Sequence, residues 1–116
     1  MIDDDPMMLK LVNEQLREKY DIATAISGSL AMKFLENKHT DLILLDYEMP
    51  GDNGPTVLKK LRSNPNTKDV PVVFLTGVSD KAHIEAVLAL KPAGYMLKPA
   101  NANKIRVLSK GKIVNS

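Results

Sequence analysis

The chain contains no cysteine and no tryptophan, and only 4% of its 116 residues are aromatic. Without cysteine it can form neither a disulfide framework nor a thiolate metal site. Its two histidines, His39 and His83, lie in different predicted elements, which argues against a zinc site, and we expect both at the surface. The sequence has no apolar run near the ~20 residues of a membrane-spanning helix and no signal-peptide pattern, so we expect a cytoplasmic protein.

A large excess of charge of one sign is also missing. The net charge is +2 and the lysines are scattered, which does not indicate direct nucleic-acid binding. The hydrophobic fraction of 44% and the charged fraction of 26% are ordinary for a soluble globular protein. Because a chain of this length buries a core without metal or disulfide staples, we expect a single domain over residues 1–116, with 112–116 as a short tail.

What the sequence does have is an alternation of short apolar runs and amphipathic segments, repeated about five times. Short apolar runs between turn residues indicate buried strands. Helix starts are marked by pairs such as Asp5-Pro6, an N-cap followed by proline at the first helical position. The second helix is predicted to face the core with four residues, Leu30, Ala31, Phe34 and Leu35. This alternation is typical of a doubly wound α/β fold, with helices on both faces of a parallel sheet.

The first strand is unusually short. Only Met1 and Ile2 precede Asp3, whereas a typical strand has ~5–6 residues. Three explanations stay open: the sequence is trimmed at this end, upstream residues are missing, or Lys112–Val114 supplies the strand pairing from the other end. A last helix is predicted from Asn103 to Lys110, with glycine after it.

Three of the apolar runs are each followed by one polar residue of a chemically useful type: Asp46, Thr76 and Lys98. Parallel strands point the same way, so their last residues gather along one edge of the sheet, where open α/β folds bind their ligands. Asp3 and Asp4, which follow the first strand, would bring more carboxylates to this edge. The sequence therefore predicts one crevice that combines several carboxylates, a hydroxyl and an ammonium group.

Four segments occur in a suggestive order: the acidic opening Ile2–Pro6, the strand and loop Asp41–Gly51, and the segments Phe74–Gly77 and Gly94–Pro99. Together they resemble the motifs of response-regulator receiver domains, the family of the chemotaxis regulator and of two-component signalling. The resemblance extends to about Leu108, nearly the whole chain. It implies a flavodoxin-like, five-stranded parallel sheet in the order 2-1-3-4-5, with five helices.

The resemblance implies a role for each acidic residue at this edge. Asp46 would be the phosphoacceptor, a carboxylate nucleophile that becomes an acyl phosphate. Clustered carboxylates repel one another, and Mg²⁺ (or Mn²⁺), which prefers oxygen ligands, relieves that repulsion. The resemblance puts Asp4, Asp46 and the backbone carbonyl of Glu48 in direct coordination of this ion, and Asp3 in contact with it mainly through water.

The remaining residues of the crevice would bind the phosphoryl group and respond to it. Lys98 would supply a positive charge to one phosphoryl oxygen, and Thr76 a hydroxyl to another. Movement of Thr76 would let Tyr95, which matches the family's aromatic switch, turn inward. The output surface would be helix 4, strand 5 and helix 5. Gly77 keeps the position after Thr76 small, so access to the phosphate should survive.

The leading interpretation is a phosphorylation-controlled signalling switch rather than an enzyme, with at most slow self-catalysed phosphorylation and autodephosphorylation. A histidine kinase or phosphotransfer protein would donate the phosphate, and a downstream protein or fused effector domain would receive the signal. We expect a monomer or a weak phosphorylation-dependent dimer that contacts neither membrane nor nucleic acid. Two alternatives stay open: a pseudo-receiver that serves only as a docking scaffold, and a small phosphohydrolase with an aspartyl nucleophile. The protein is either a stand-alone regulator or a receiver from a longer chain.

Overall fold

From the second helix onward, helices and strands alternate along the chain, as the sequence predicts. A computed structural model describes residues 1–18, 21–49, 53–77 and 80–98. The helices are α1 (Pro6–Leu16), α2 (Gly28–Leu35), α3 (Gly54–Ser63) and α4 (Lys81–Ala89), and the strands are β1 (Ile43–Asp46), β2 (Val72–Thr76) and β3 (Gly94–Leu97). The helix predicted at Asn103–Lys110 and the tail 112–116 lie outside the described residues. Within those residues, no helix is long and apolar enough to cross a membrane.

The three strands form a parallel sheet in the order β1-β2-β3. On the far side of β1, Ile2 makes two parallel bridges, one with Leu45 and one with Ala25. The order across the sheet is therefore Ala25, Ile2, β1, β2, β3, which is the predicted order 2-1-3-4-5. The doubly wound α/β fold is confirmed, although Ile2 and Ala25 are paired through single bridges rather than within full strands.

The short opening segment is held on both sides. The Ile2 amide donates to the Leu44 carbonyl at 2.8 Å, and the Ile2 carbonyl accepts from the Asp46 amide at 2.8 Å. On its other side, the Asp3 amide donates to the Ala25 carbonyl at 3.1 Å. Three residues thus pair as an interior strand does, and the last of them, Asp3, reaches the carboxyl edge of the sheet. The proposed alternative partner, Lys112–Val114, lies outside the described residues.

Strand β2 lies between two apolar cores, which explains why its sequence is a continuous apolar run rather than an alternating one. Val72 and Phe74 pack into the core that α2, α3 and α4 cover, whereas Val73 and Leu75 pack into the core that α1 covers. All four side chains are fully buried. Helices therefore cover both faces of the sheet at β2, which leaves the end of this strand, at Thr76, to carry a polar group.

The helices begin at the predicted N-caps, but the prediction of which residues of α2 face the core is partly wrong. Asp5 caps α1 by accepting a hydrogen bond from the Met7 amide at 3.0 Å. In α2, Ala31 is buried, and so is Leu35 one turn later, whereas Leu30 is 51% and Phe34 44% exposed. Because α2 has only 8 residues, the i, i+4 pair suffices to cover its side of the core, and the adjacent pair points away.

Candidate functional site

The polar residues that end the strands lie along one edge of the sheet. Asp46 is the last residue of β1 and Thr76 the last of β2, and Lys98 directly follows β3. The parallel register aligns these ends, because Asp46 pairs with Leu75 and Thr76 pairs with Leu97. Within this edge the structure separates two groups of side chains, which differ in how well their charges and hydrogen bonds are matched.

The first group is an acidic cluster formed by Asp3, Asp4 and Asp46. One carboxylate oxygen from each lies within 4.8 Å of the other two. Asp3 is 0% and Asp46 only 1% exposed, whereas Asp4 is exposed. The cation beside them is Lys98, whose Nζ lies 2.9 Å from Asp46 Oδ1 and 3.6 Å from Asp3 Oδ2. One ammonium group thus faces the two buried carboxylates, and negative charge is in excess.

Burial and the neighbouring charges shift the pKa values of Asp3 and Lys98. Burial raises the pKa of Asp3 to about 6, and the neighbouring Asp46 charge adds to that rise, while the Asp5 backbone amide and Lys98 oppose it. Burial lowers the pKa of Lys98, but its hydrogen bond to Asp46 and the charges of Asp3 and Glu48 outweigh this, so its pKa is raised overall. Lys98 is therefore held in its charged form, while Asp3 is protonated more easily than an ordinary aspartate.

One buried atom of the acidic cluster has no hydrogen-bond partner among the described residues. It is Asp3 Oδ2, which is buried, whereas Asp3 Oδ1 accepts from the Asp5 amide at 3.0 Å. Asp46 Oδ1 accepts from the Glu48 amide at 3.3 Å in addition to its ion pair with Lys98. A buried oxygen without a hydrogen-bond partner, together with the oxygens of two further carboxylates, forms a set of ligands that fits a hard divalent cation such as Mg²⁺.

The second group, which we call the threonine cluster, consists of Thr76, Glu48 and His83. Thr76 Oγ1 donates a short hydrogen bond to Glu48 Oε1, and His83 Nε2 lies 2.8 Å from the same hydroxyl oxygen. Glu48 Oε1 also accepts from the Gly77 amide at 3.3 Å. Thr76 therefore lies at the predicted edge, but its hydroxyl is engaged with the carboxylate of Glu48.

His83 is the residue of this edge that the sequence analysis missed. It was expected at the surface, but its side chain is only 17% exposed. Its position in the first turn of α4, three residues after the N-cap Asp80, contained the available signal, because α4 begins soon after β2 ends. His39, by contrast, lies on the surface as predicted, with a side chain that is 79% exposed.

The loop after β1 passes close to α3, and this contact positions Asp46 and Glu48. The Gly54 amide donates to the Tyr47 carbonyl at 3.1 Å. A Cβ at position 54 would lie 2.8 Å from the Asp46 carbonyl oxygen and 2.8 Å from Tyr47 Cα, closer than real contacts allow. Gly77 differs, because a Cβ there would meet nothing within 4 Å. Only the first glycine is required by close packing.

Tyr95 lies on β3 beside Phe74 and is 37% exposed. Among the described residues, Tyr95 takes no part in the hydrogen bonds and ion pairs of the two clusters. The aromatic ring that does contact the threonine cluster is Tyr47, which packs edge-on against His83 with ring centroids 4.7 Å apart. The structure thus brings Asp3, Asp4, Asp46 and Lys98 together, puts Thr76 beside them with Glu48, and leaves Tyr95 half-exposed.

Comparison with known proteins supports the assignment that the motifs suggest. A sequence profile described as the response regulator receiver domain matches residues 1–109. The chain belongs to the response regulator receiver family. It is 34% identical over 101 residues to a probable cyclic di-GMP phosphodiesterase of Vibrio cholerae, and the match covers 87% of the chain but only 23% of that protein. The chain thus corresponds to about a quarter of this relative's length.

Solved structures agree with the receiver fold. The chemotaxis protein CheY4 of Vibrio cholerae superposes with a TM-score of 0.84 at 24% identity, covering 94% of this chain and 92% of that one. The receiver domain of the sensor histidine kinase PA1611 from Pseudomonas aeruginosa also gives 0.84, at 23% identity, over 97% and 93% of the two chains. In that protein a magnesium ion is coordinated in the active site cleft.

Proposed function

We propose that residues 1–116 form one receiver domain that takes a phosphoryl group on Asp46 and thereby changes its affinity for a partner. The observation that carries this proposal is a buried carboxylate, 1% exposed, at the carboxyl edge of the sheet, with an ammonium group 2.9 Å from its Oδ1 and two further carboxylates beside it. The donor would be a histidine kinase or phosphotransfer protein in the cytoplasm.

In this mechanism an Asp46 carboxylate oxygen attacks the phosphorus of the donor. A new P–O bond forms, and the bond to the donor breaks, with the leaving group keeping the electron pair. The carboxylate loses its negative charge when it becomes an acyl phosphate, so Lys98 is released from that ion pair and can follow the charge onto a phosphoryl oxygen. Lys98 thus compensates charge before and after transfer.

Asp3, Asp4, Asp46 and the backbone carbonyl of Glu48 would hold a divalent cation, Mg²⁺ or Mn²⁺. When bound, such an ion supplies positive charge that offsets the carboxylates and the incoming phosphoryl oxygens. Two observations support this role: Asp3 Oδ2 is buried without a hydrogen-bond partner among the described residues, and burial together with the Asp46 charge raises the pKa of Asp3.

The conformational response would begin at Thr76. Its hydroxyl would exchange Glu48 for a phosphoryl oxygen, and Tyr95 on β3 would respond by turning inward. The signal would reach a downstream protein or a fused effector domain through α4, β3 and the helix predicted at Asn103–Lys110. On this account the domain is a switch, monomeric or weakly dimeric when phosphorylated, and not a phosphohydrolase.

The test is intact-mass measurement after incubation with acetyl phosphate, with and without Mg²⁺, on the wild type, Asp46→Asn and the exposed control Asp69→Asn. We expect a single phosphoryl adduct in the wild type and the control, removed by hydroxylamine because acyl phosphates react with it. Asp46→Asn or chelation of Mg²⁺ should abolish the adduct, because each removes an element of the transfer. A folded wild type without an adduct would contradict the proposal and favour the docking scaffold.

A further inference from the structure

The hydrogen bonds of Thr76 determine which group carries the proton in the threonine cluster. A hydroxyl has one proton, and the carboxylate of Glu48 can only accept, so Thr76 Oγ1 must donate to Glu48 Oε1. The 2.8 Å contact between Thr76 Oγ1 and His83 Nε2 can then be a hydrogen bond only if the histidine nitrogen donates. The geometry therefore requires a proton on Nε2 of His83.

His83 is fixed on the Glu48 side of Thr76. Its backbone amide donates to Asp80 Oδ1 at 3.0 Å in the first turn of α4, and its ring packs edge-on against Tyr47 at 4.7 Å. Its Nε2 also lies 3.8 Å from Glu48 Oε1, so the imidazole faces both the Thr76 hydroxyl and the carboxylate that accepts from it. A hydroxyl that accepts a hydrogen bond becomes a better donor, so this contact strengthens the bond from Thr76 to Glu48.

From these contacts we propose that His83 is a positioning residue that acts through Thr76. By donating to the hydroxyl oxygen it keeps the Thr76 O–H directed at Glu48, and so opposes the exchange by which Thr76 would reach a phosphoryl oxygen on Asp46. The inference rests on the proposed function for its consequence, but its first step concerns the unmodified protein. His83 thereby sets how readily the resting conformation gives way to the phosphorylated one.

The first measurement is ¹⁵N NMR of the His83 ring in the unmodified protein. We expect a protonated Nε2, and a changed Nε2 resonance in Thr76→Ala, where the acceptor is lost. A resting protein in which Nε2 lacks a proton would overturn the inference, whatever the fate of the proposed function. So would a resonance that is indifferent to Thr76→Ala.

The second measurement is affinity for beryllofluoride, a phosphoryl mimic, in the presence of Mg²⁺. His83→Phe keeps a ring against Tyr47 but removes the donor, and we expect it to bind about fivefold more tightly, the effect of one neutral hydrogen bond. His83→Gln, whose amide nitrogen can replace Nε2, should stay close to the wild type. In a Thr76→Ala background His83→Phe should have no effect.

The outcomes separate the two proposals. If the wild type binds and His83→Phe leaves the affinity unchanged or weakens it, this inference alone is overturned. The same holds if His83→Gln behaves like His83→Phe, or if the gain persists without the Thr76 hydroxyl. If the folded wild type does not bind beryllofluoride at all, the proposed function falls, and the consequence assigned to His83 falls with it.

Discussion

The acidic cluster and the threonine cluster occupy the same edge of one sheet but differ in how their polar groups are satisfied. Within the described part of the chain, Lys98 alone faces the two buried carboxylates of the acidic cluster, and Asp3 Oδ2 has no hydrogen-bond partner. In the threonine cluster, Glu48 Oε1 accepts from Thr76 and from Gly77, and His83 contacts the same hydroxyl.

This difference indicates that the two clusters have different functions. Buried charges without compensation are costly in free energy, and a site retains them when a ligand supplies the missing charge. A satisfied hydrogen-bond network, in contrast, resists change and must be broken for the conformation to switch. We therefore assign ligand binding to the acidic cluster and resistance to switching to the threonine cluster.

The largest expected effect comes from a change that disturbs both clusters at once. In Gly54→Ala the new methyl group would collide with the backbone of Asp46 and Tyr47, which connects the two clusters. Because backbone cannot move aside as a flexible side chain can, we expect a loss of about 2–3 kcal/mol in the free energy of unfolding, measured by urea denaturation.

The matched control is Gly77→Ala, which adds the same methyl group where nothing lies within 4 Å. It should change stability by less than about 0.5 kcal/mol, as surface substitutions do. Equal losses in the two variants would show that the loop after β1 is not held by close packing at residue 54.

A smaller effect on stability should appear when only the negative charge of the acidic cluster is reduced. The pKa of Asp3 is about 6 in the folded protein against an ordinary value of 3.8, so between these pH values the folded state holds a proton that the unfolded state releases. The destabilisation by Asp3 is therefore absent below about pH 4, grows as the pH rises, and is complete above about pH 6. Asp3→Asn removes it.

Without divalent cations, Asp3→Asn should be more stable than the wild type by about 1–2 kcal/mol at pH 8, and this advantage should disappear at pH 4. Urea denaturation at both pH values measures the difference. The exposed control Asp69→Asn should show no such dependence. An advantage of Asp3→Asn that is the same at pH 4 and pH 8 would mean that the Asp3 charge is already compensated.

The sequence was sufficient to predict the fold and which strand-end residues reach the edge, because strand ends follow from apolar runs and a parallel sheet aligns them. It did not show how so short a first strand is held, since hydrogen bonds between distant segments leave no local pattern. Leu30 and Phe34 were wrongly predicted as inward, because periodicity does not show how much of a helix the core needs. His83 escaped because its role depends on where α4 packs.

The most direct test of the account is thermal unfolding at pH 8 as Mg²⁺ is added at constant ionic strength. Because a ligand that binds only the folded state stabilises it, the wild type and Asp69→Asn should gain stability, by about 1.4 kcal/mol for each tenfold increase beyond the dissociation constant. Asp46→Asn, which removes a central carboxylate charge, should lose most of this gain. An equal gain in Asp46→Asn, or none in the wild type, would contradict the claim that the acidic cluster is a divalent-cation site.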